Sequence, residues 1–275
     1  MTWLLLALTG QARASACCVG STSSTPARLG RCERASAGLM VSGTQSQLRY
    51  DSQGRVVTSS MTSQELSTLL FGGWRWSRWG QVGLSLPAQM AWRSTDLQAS
   101  QGGGLADLHL GVVLETPSER TGASPMMSLG FRLPTGRSWE QASSPLGADI
   151  TGRGGLGVST ALGLERSDGA WPWGLWASAE LDRDHAWQLS PEISASLGRS
   201  LSPGWTASTA LSHQRSFPLP LSSAAARTRA SLQLVHGRQL RYRTWVSVGS
   251  DLPLGHLGRD RALEHSASLG YARLF

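Results

Sequence analysis

From about Ser36 onward the chain repeats one unit: a run in which apolar and polar positions alternate, then a short group of turn residues. A period of two is the signature of β-strands. The repeats predict strands near 36–49, 64–76, 80–92, 105–116, 124–133, 153–166, 170–182, 188–199, 204–215, 226–236, 239–250 and 263–275. Within them the two faces separate. Leu156, Val158, Thr160, Leu162 and Leu164 oppose Gly155, Gly157, Ser159, Ala161 and Gly163. Leu108, Leu110, Val112 and Leu114 oppose Asp107, His109, Gly111 and Glu115, and Met127, Leu129, Phe131 and Leu133 oppose Ser128, Gly130 and Arg132.

Alternation alone fits a soluble sandwich as well as a membrane barrel, because each has one apolar face. Two features separate them. The polar face is rich in small residues with isolated charges, which suits a narrow polar lumen better than a packed core. The connections also alternate in length. Long ones are expected near 50–63, 93–104, 134–152, 216–225 and 251–262, and short ones at 77–79, 167–169, 200–203 and around Gly237-Arg238. A modest turn near 117–123 keeps the order, and only the link near 183–187 is shorter than its place in the series requires. Bacterial barrels put short turns in the periplasm and long loops outside. The expected fold is therefore all-β: a transmembrane, antiparallel, up-and-down β-barrel of about twelve strands. The fallback is a secreted β-sandwich.

Composition supports the barrel. The chain has 32 glycines and 12 tryptophans, only 16% of residues are charged, and past the first residues no apolar run is long enough for a spanning helix. A membrane protein without such runs must close its sheet so that every backbone group finds a partner. Trp74, Trp76, Trp79, Trp171, Trp173, Trp187, Trp205 and Trp245 fall near strand ends, where an interfacial aromatic girdle belongs. The net charge of +7 comes from 25 basic residues, every one an arginine, scattered singly without a basic stripe or arm. No nucleic-acid partner is expected from that pattern.

Three regions follow: a signal peptide over 1–16, a periplasmic cysteine-containing segment over 17–35, and the barrel over 36–275. Trp3–Leu8 is a short apolar core, and Ala14-Ser15-Ala16 has the small-x-small pattern of a cleavage site, although a basic n-region is missing. Cys17 follows that site directly, but Ala14 stands where a lipidation motif needs leucine or a similar aliphatic. In an oxidising periplasm Cys32 can pair with Cys17 or Cys18; Cys18–Cys32 is carried as the candidate disulfide. Leu269, Tyr271 and Phe275 form the terminal alternation that barrel-insertion machinery reads, interrupted by Arg273.

Gly102-Gly103-Gly104-Leu105-Ala106-Asp107-Leu108-His109-Leu110-Gly111 resembles a glycine-x-glycine-aspartate strand opening, with Ala106 as an extra residue. Leu133-Pro134-Thr135-Gly136 resembles the Leu-Pro-Thr-Gly that closes a following strand. On these motifs the chain resembles Gram-negative outer-membrane "transporter" barrels related to the phenol-degradation-pathway barrel proteins. Cys17-Cys18-Val19-Gly20 resembles myxobacterial members. The resemblance implies a passive pore or uptake channel for small molecules.

The candidate functional residues are those expected to face the lumen: Asp107, His109, Glu115, Arg132, Glu165, Glu180, Arg241 and Arg243. Charges paired across a narrow lumen either set solute preference or plug it. No cofactor and no metal are expected, because the six histidines are isolated from one another and from the cysteines. Neither Ser212-His213-Gln214 nor His265-Ser266-Ala267-Ser268 matches the His-x-Ser-Asn pattern of barrel-wall lipid hydrolases, so no enzyme activity is expected. His265 on the last strand is the one position where such a site is worth testing. The expected partners are outer-membrane lipid, the barrel-insertion machinery and small solutes.

Overall fold

The structure is a computed structural model that describes residues 29, 33–51, 55–116, 122–166, 170–183, 187–202, 204–219, 225–238, 241–252 and 262–275. The expected signal peptide and all three cysteines, with the Cys18–Cys32 pairing, lie outside the described residues.

Thirteen extended segments follow in chain order: β1 (Ala35–Tyr50), β2 (Val56–Ser77), β3 (Gly80–Ser94), β4 (Ala99–Leu105), β5 (Leu108–Glu115), β6 (Ala123–Leu133), β7 (Gly157–Arg166), β8 (Trp173–Arg183), β9 (Trp187–Ser202), β10 (Trp205–Leu219), β11 (Ala225–Arg238), β12 (Tyr242–Asp251) and β13 (Ala262–Leu274). β4 and β5 both pair with β3, one on Ala88–Ser94 and the other on Gly80–Ser85. They are two halves of a single wall strand, so the wall counts twelve. Every neighbouring pair is antiparallel, β1 pairs with β13, and β2–β3 completes the circuit. The circuit is closed, as a lipid-embedded sheet requires, and only the short β4 at the long-loop end has a single strand partner. The seam is reinforced at its foot, where the Phe275 carbonyl accepts the N–H groups of Arg34 (3.0 Å) and Ala35 (3.1 Å).

The distribution of side chains is inverted relative to a soluble protein. Leu70, Leu84, Leu129, Leu162, Leu175, Ile193, Leu211, Leu232, Val246 and Leu269 are exposed around the whole circumference, Ile193 by 69%. An apolar surface of that extent is stable only against lipid, which removes the sandwich alternative. Buried polar and charged side chains outnumber buried apolar ones among the described residues. Leu269, Tyr271 and Phe275 face outward, and Trp74, Trp76, Trp79, Trp171 and Trp205 are exposed near the end that carries the short turns.

Several expectations need correction. The wall extends farther on the long-loop side: β2 begins at Val56 and β4 at Ala99, so most of 56–63 and 99–104 is strand. Residues 153–156 belong to the preceding loop, since β7 begins at Gly157. Trp245 is not a girdle residue. It faces inward, is buried, and packs against Phe71 and on Gly270, where a side chain would strike its ring. Trp187 is exposed near a strand end as expected, at the long-loop end of β9, the side that also exposes Trp92 and Trp139.

Candidate lumen

The inward faces enclose a cavity of about 850 Å³. Its wall differs by sector. On β1, β2, β3, β12 and β13 it includes an apolar group: Met40, Leu69, Phe71, Pro87, Trp245 and Ala272. On β6–β11 hydroxyls, amides and charges dominate, among them Ser128, Ser159, Ser178, Ser190, Ser208, Ser231, Gln214 and Gln233.

Of the expected lumen residues, Asp107, His109, Arg132, Glu180 and Arg243 line this cavity. Glu115 and Glu165 also point inward and are buried, toward the short-turn end. Arg241 is a correction. It sits exposed in the turn before β12, its carbonyl accepting the Leu274 N–H at 2.8 Å, so its side chain belongs to the rim. Sequence reasoning missed Glu33, Arg75, Arg93, Arg153, Arg227 and Arg229.

The charges form three groups. Along β5–β8, Arg132 lies 3.8 Å from Asp107, 3.6 Å from Glu180 and 3.4 Å from the fully buried Asp182, which also pairs with Arg153. On β11–β13, Arg227 pairs with Glu264 at 3.2 Å, and Arg229 lies 3.7 Å from both Asp251 and Glu264. At the short-turn mouth Arg75 pairs with Glu115 and Arg243 with Glu33. The first two groups lie on opposite sides of the circuit, and each joins near neighbours along its own stretch of wall. Of the two arrangements open to the lumen charges, the described ion pairs follow the wall and leave space beside them.

The bore is narrowed at its ends instead. The 134–156 loop, which includes a short 3-10 turn over Trp139–Gln141, folds inward so that Ile150, Thr151, Gly152 and Arg153 become part of the lumen wall. Gln89 Nε2 donates to the Ile150 carbonyl (2.7 Å), Thr151 Oγ1 to that of Leu105 (2.6 Å), and Arg93 Nη1 to those of Leu146 (3.0 Å) and Gly147 (2.8 Å). Gly147 and Gly154 adopt positive φ, which other side chains rarely permit. Asp149 ties the loop to itself by accepting from Ser143 N (2.8 Å), Ser143 Oγ (2.9 Å), Ser144 N (3.2 Å) and Arg137 Nη1 (3.0 Å). The Ser143 backbone N–H is the largest cause holding its carboxyl well below the usual carboxylate range; the Ser143 hydroxyl and Arg137 add to it.

The two motifs behind the family resemblance meet here. Pro87 on β3 has no N–H for the ladder, and the facing strand breaks at Ala106-Asp107. Thr135 and Gly136 fill the break. Thr135 Oγ1 accepts the Leu108 N–H and donates to the Ala106 carbonyl, both at 2.9 Å. Asp107 accepts the N–H groups of Gly136 (3.0 Å) and Arg153 (2.8 Å), clamping both ends of the loop. Gly102 leaves bare backbone for the loop to rest on, since a Cβ there would lie 2.7 Å from Asp149.

At the other mouth, Leu29 is buried (1% exposed) inside the barrel. Its N–H donates to Gln81 Oε1 at 2.7 Å, and its carbonyl accepts from Arg75 Nη2 at 3.2 Å. Arg75 Nε also donates to the Glu33 carbonyl at 3.3 Å. Leu29 and Glu33, which precede β1, thus sit in the short-turn mouth.

His265 faces outward at the long-loop end of β13, with Nδ1 2.8 Å from Ser250 Oγ on β12. The same Oγ is 3.1 Å from the Asp251 carbonyl. His213 also faces outward, 2.9 Å from Thr228 Oγ1.

No protein-family model matches the chain, and no curated protein matches it by sequence. Solved structures do. The fold is similar to an outer-membrane channel from Pseudomonas putida F1 (TM-score 0.73, 15% identity, 94% of this chain and 100% of that one). It is also similar to the transport unit of the autotransporter AIDA-I from Escherichia coli (0.52, 9%, 95% of each chain). A third is the β domain of the Bordetella autotransporter BrkA (0.50, 16%, 87% of this chain and 100% of that one). At these identities the likeness establishes that the chain has the fold of an outer-membrane β-barrel.

Proposed function

We propose that this protein resides in the outer membrane of a Gram-negative bacterium and is a passive channel for small solutes, polar or carrying one apolar side. The observation that carries this reading is the lumen. Its ion pairs lie along the wall, and the space beside them is lined by hydroxyls and amides opposite an apolar face of Met40, Leu69, Phe71 and Trp245. Short-range polar groups of this kind replace part of a solute's hydration without trapping it, as conduction requires. The similarity of the fold to the Pseudomonas putida channel supports the same class of function, and the two motifs described above support a kinship with the phenol-degradation-pathway barrels. The signal peptide over 1–16 supplies the export route.

The test is swelling of liposomes containing the purified protein, with neutral and charged solutes of graded size. A channel gives swelling that falls with solute size, and no swelling for any solute contradicts it. The buried Leu29 and Glu33 favour a second reading, a barrel closed in its resting state that serves through its outer loops. Swelling that appears only after Glu33 or Arg243 is altered identifies that state.

A further inference from the structure

We infer that the periplasmic rim of the barrel binds the phosphates of anionic phospholipids through arginines laid on exposed aromatic rings. Three such pairs lie at the short-turn end. The Arg78 guanidinium sits 4.7 Å from the Trp79 ring centroid, that of Arg199 5.3 Å from Trp171, and that of Arg273 5.3 Å from Phe275. All three rings are exposed. The pairs are spread around the barrel, at the β2–β3 turn, at the foot of β8 and β9, and at the end of β13.

Among the described residues, the charges exposed on this rim are one-sided. Arg34, Arg166 and Arg241 are exposed there as well. The acidic side chains described at this end are Glu33, Glu115 and Glu165, and all three are buried on the inner face. The outward surface among the described residues is therefore cationic, and no described carboxylate side chain pairs with Arg78, Arg199 or Arg273.

The chemistry favours lipid phosphate. A ring against one face of a guanidinium holds it in place while its edge N–H groups stay free to fork onto two phosphate oxygens. Aromatic side chains settle at the level of the headgroups, so the arginines are held at phosphate depth. Distribution around the circumference suits an annulus of lipid, whereas a soluble polyanion needs its cations gathered on one patch. The inference rests on the barrel spanning the membrane and holds whether or not the lumen conducts, so a failed swelling assay leaves it standing.

The test is native mass spectrometry of the full-length protein in detergent, titrated with phosphatidylglycerol or with phosphatidylcholine of the same chains. The wild type retains phosphatidylglycerol preferentially. The R78Q/R199Q/R273Q variant loses about fivefold of that preference for each arginine removed. The R49Q/R183Q/R215Q variant, altered at the opposite end, keeps it. Folding is checked by the mobility shift of unheated protein on gels, and if the triple variant does not fold, R199Q alone shows the single fivefold step. Millimolar inorganic phosphate leaves lipid binding unchanged. No preference in the wild type, equal losses in the two triple variants, or displacement by free phosphate would each overturn the inference.

Discussion

The two ends of the lumen are narrowed by different devices. At the extracellular end the obstruction is part of the chain between β6 and β7, anchored at both sides and held by backbone hydrogen bonds to Asp107, Asp149, Thr135 and Thr151. At the periplasmic end it is formed by Leu29 and Glu33, both buried in the mouth. It is held by the Arg243–Glu33 and Arg75 contacts and one bond to Gln81. A loop fixed at two ends and satisfied along its length behaves as a permanent aperture. The periplasmic contacts centre on a buried ion pair, so that end responds most to substitution of the pair itself.

The largest expected effect is at the periplasmic end. Glu33→Gln with Arg243→Gln removes both charges of the ion pair, and solute flux in liposomes rises severalfold. Unchanged flux would mean that this end does not limit passage. Next is Asp107→Ala, which strips the acceptor from both ends of the extracellular loop and leaves Arg132 short of one carboxylate. The loop is destabilised by about 2–4 kcal/mol, read as faster protease cleavage within 134–156. A loop as resistant as in the wild type would refute the clamp. Gly102→Val pushes against Asp149 and costs about 1–3 kcal/mol, read as the same cleavage at a smaller rate increase. The smallest effect is that of acid. The Asp149 carboxyl is depressed in the folded loop, so its contribution is complete above the ordinary carboxylate pKa near 4 and declines only as pH falls below that value. Loop protection therefore stays flat from pH 7 to about pH 5, and a transition inside that window would assign the lock to another group.

Much of this was legible in the sequence because a period of two carries both strand and face. Leu162 and Ala161, or Met127 and Ser128, had only one consistent assignment, and twelve strands followed from the alternating connections. Four things were hidden. Residues 99–104 show no alternation, because their glycines serve as a floor for the loop and pack no side chains of their own. The inward fold of 134–156 depends on Pro87, Asp107 and Thr135, which meet only when three strands are assembled. Trp245 and Arg241 were misplaced by position alone: a tryptophan near a strand end reads as girdle, and its inward side is fixed by Gly270 on the neighbouring strand. Glu33 left no periodic trace, since it precedes the first strand.

The most direct test of the lumen as a conduit is single-channel recording of the purified full-length protein in planar bilayers, alongside the Glu33→Gln/Arg243→Gln variant. The structure predicts small, discrete conductance steps for the wild type and larger ones for the variant. Silence from both, in protein shown to be folded by its gel mobility, would contradict a conducting lumen.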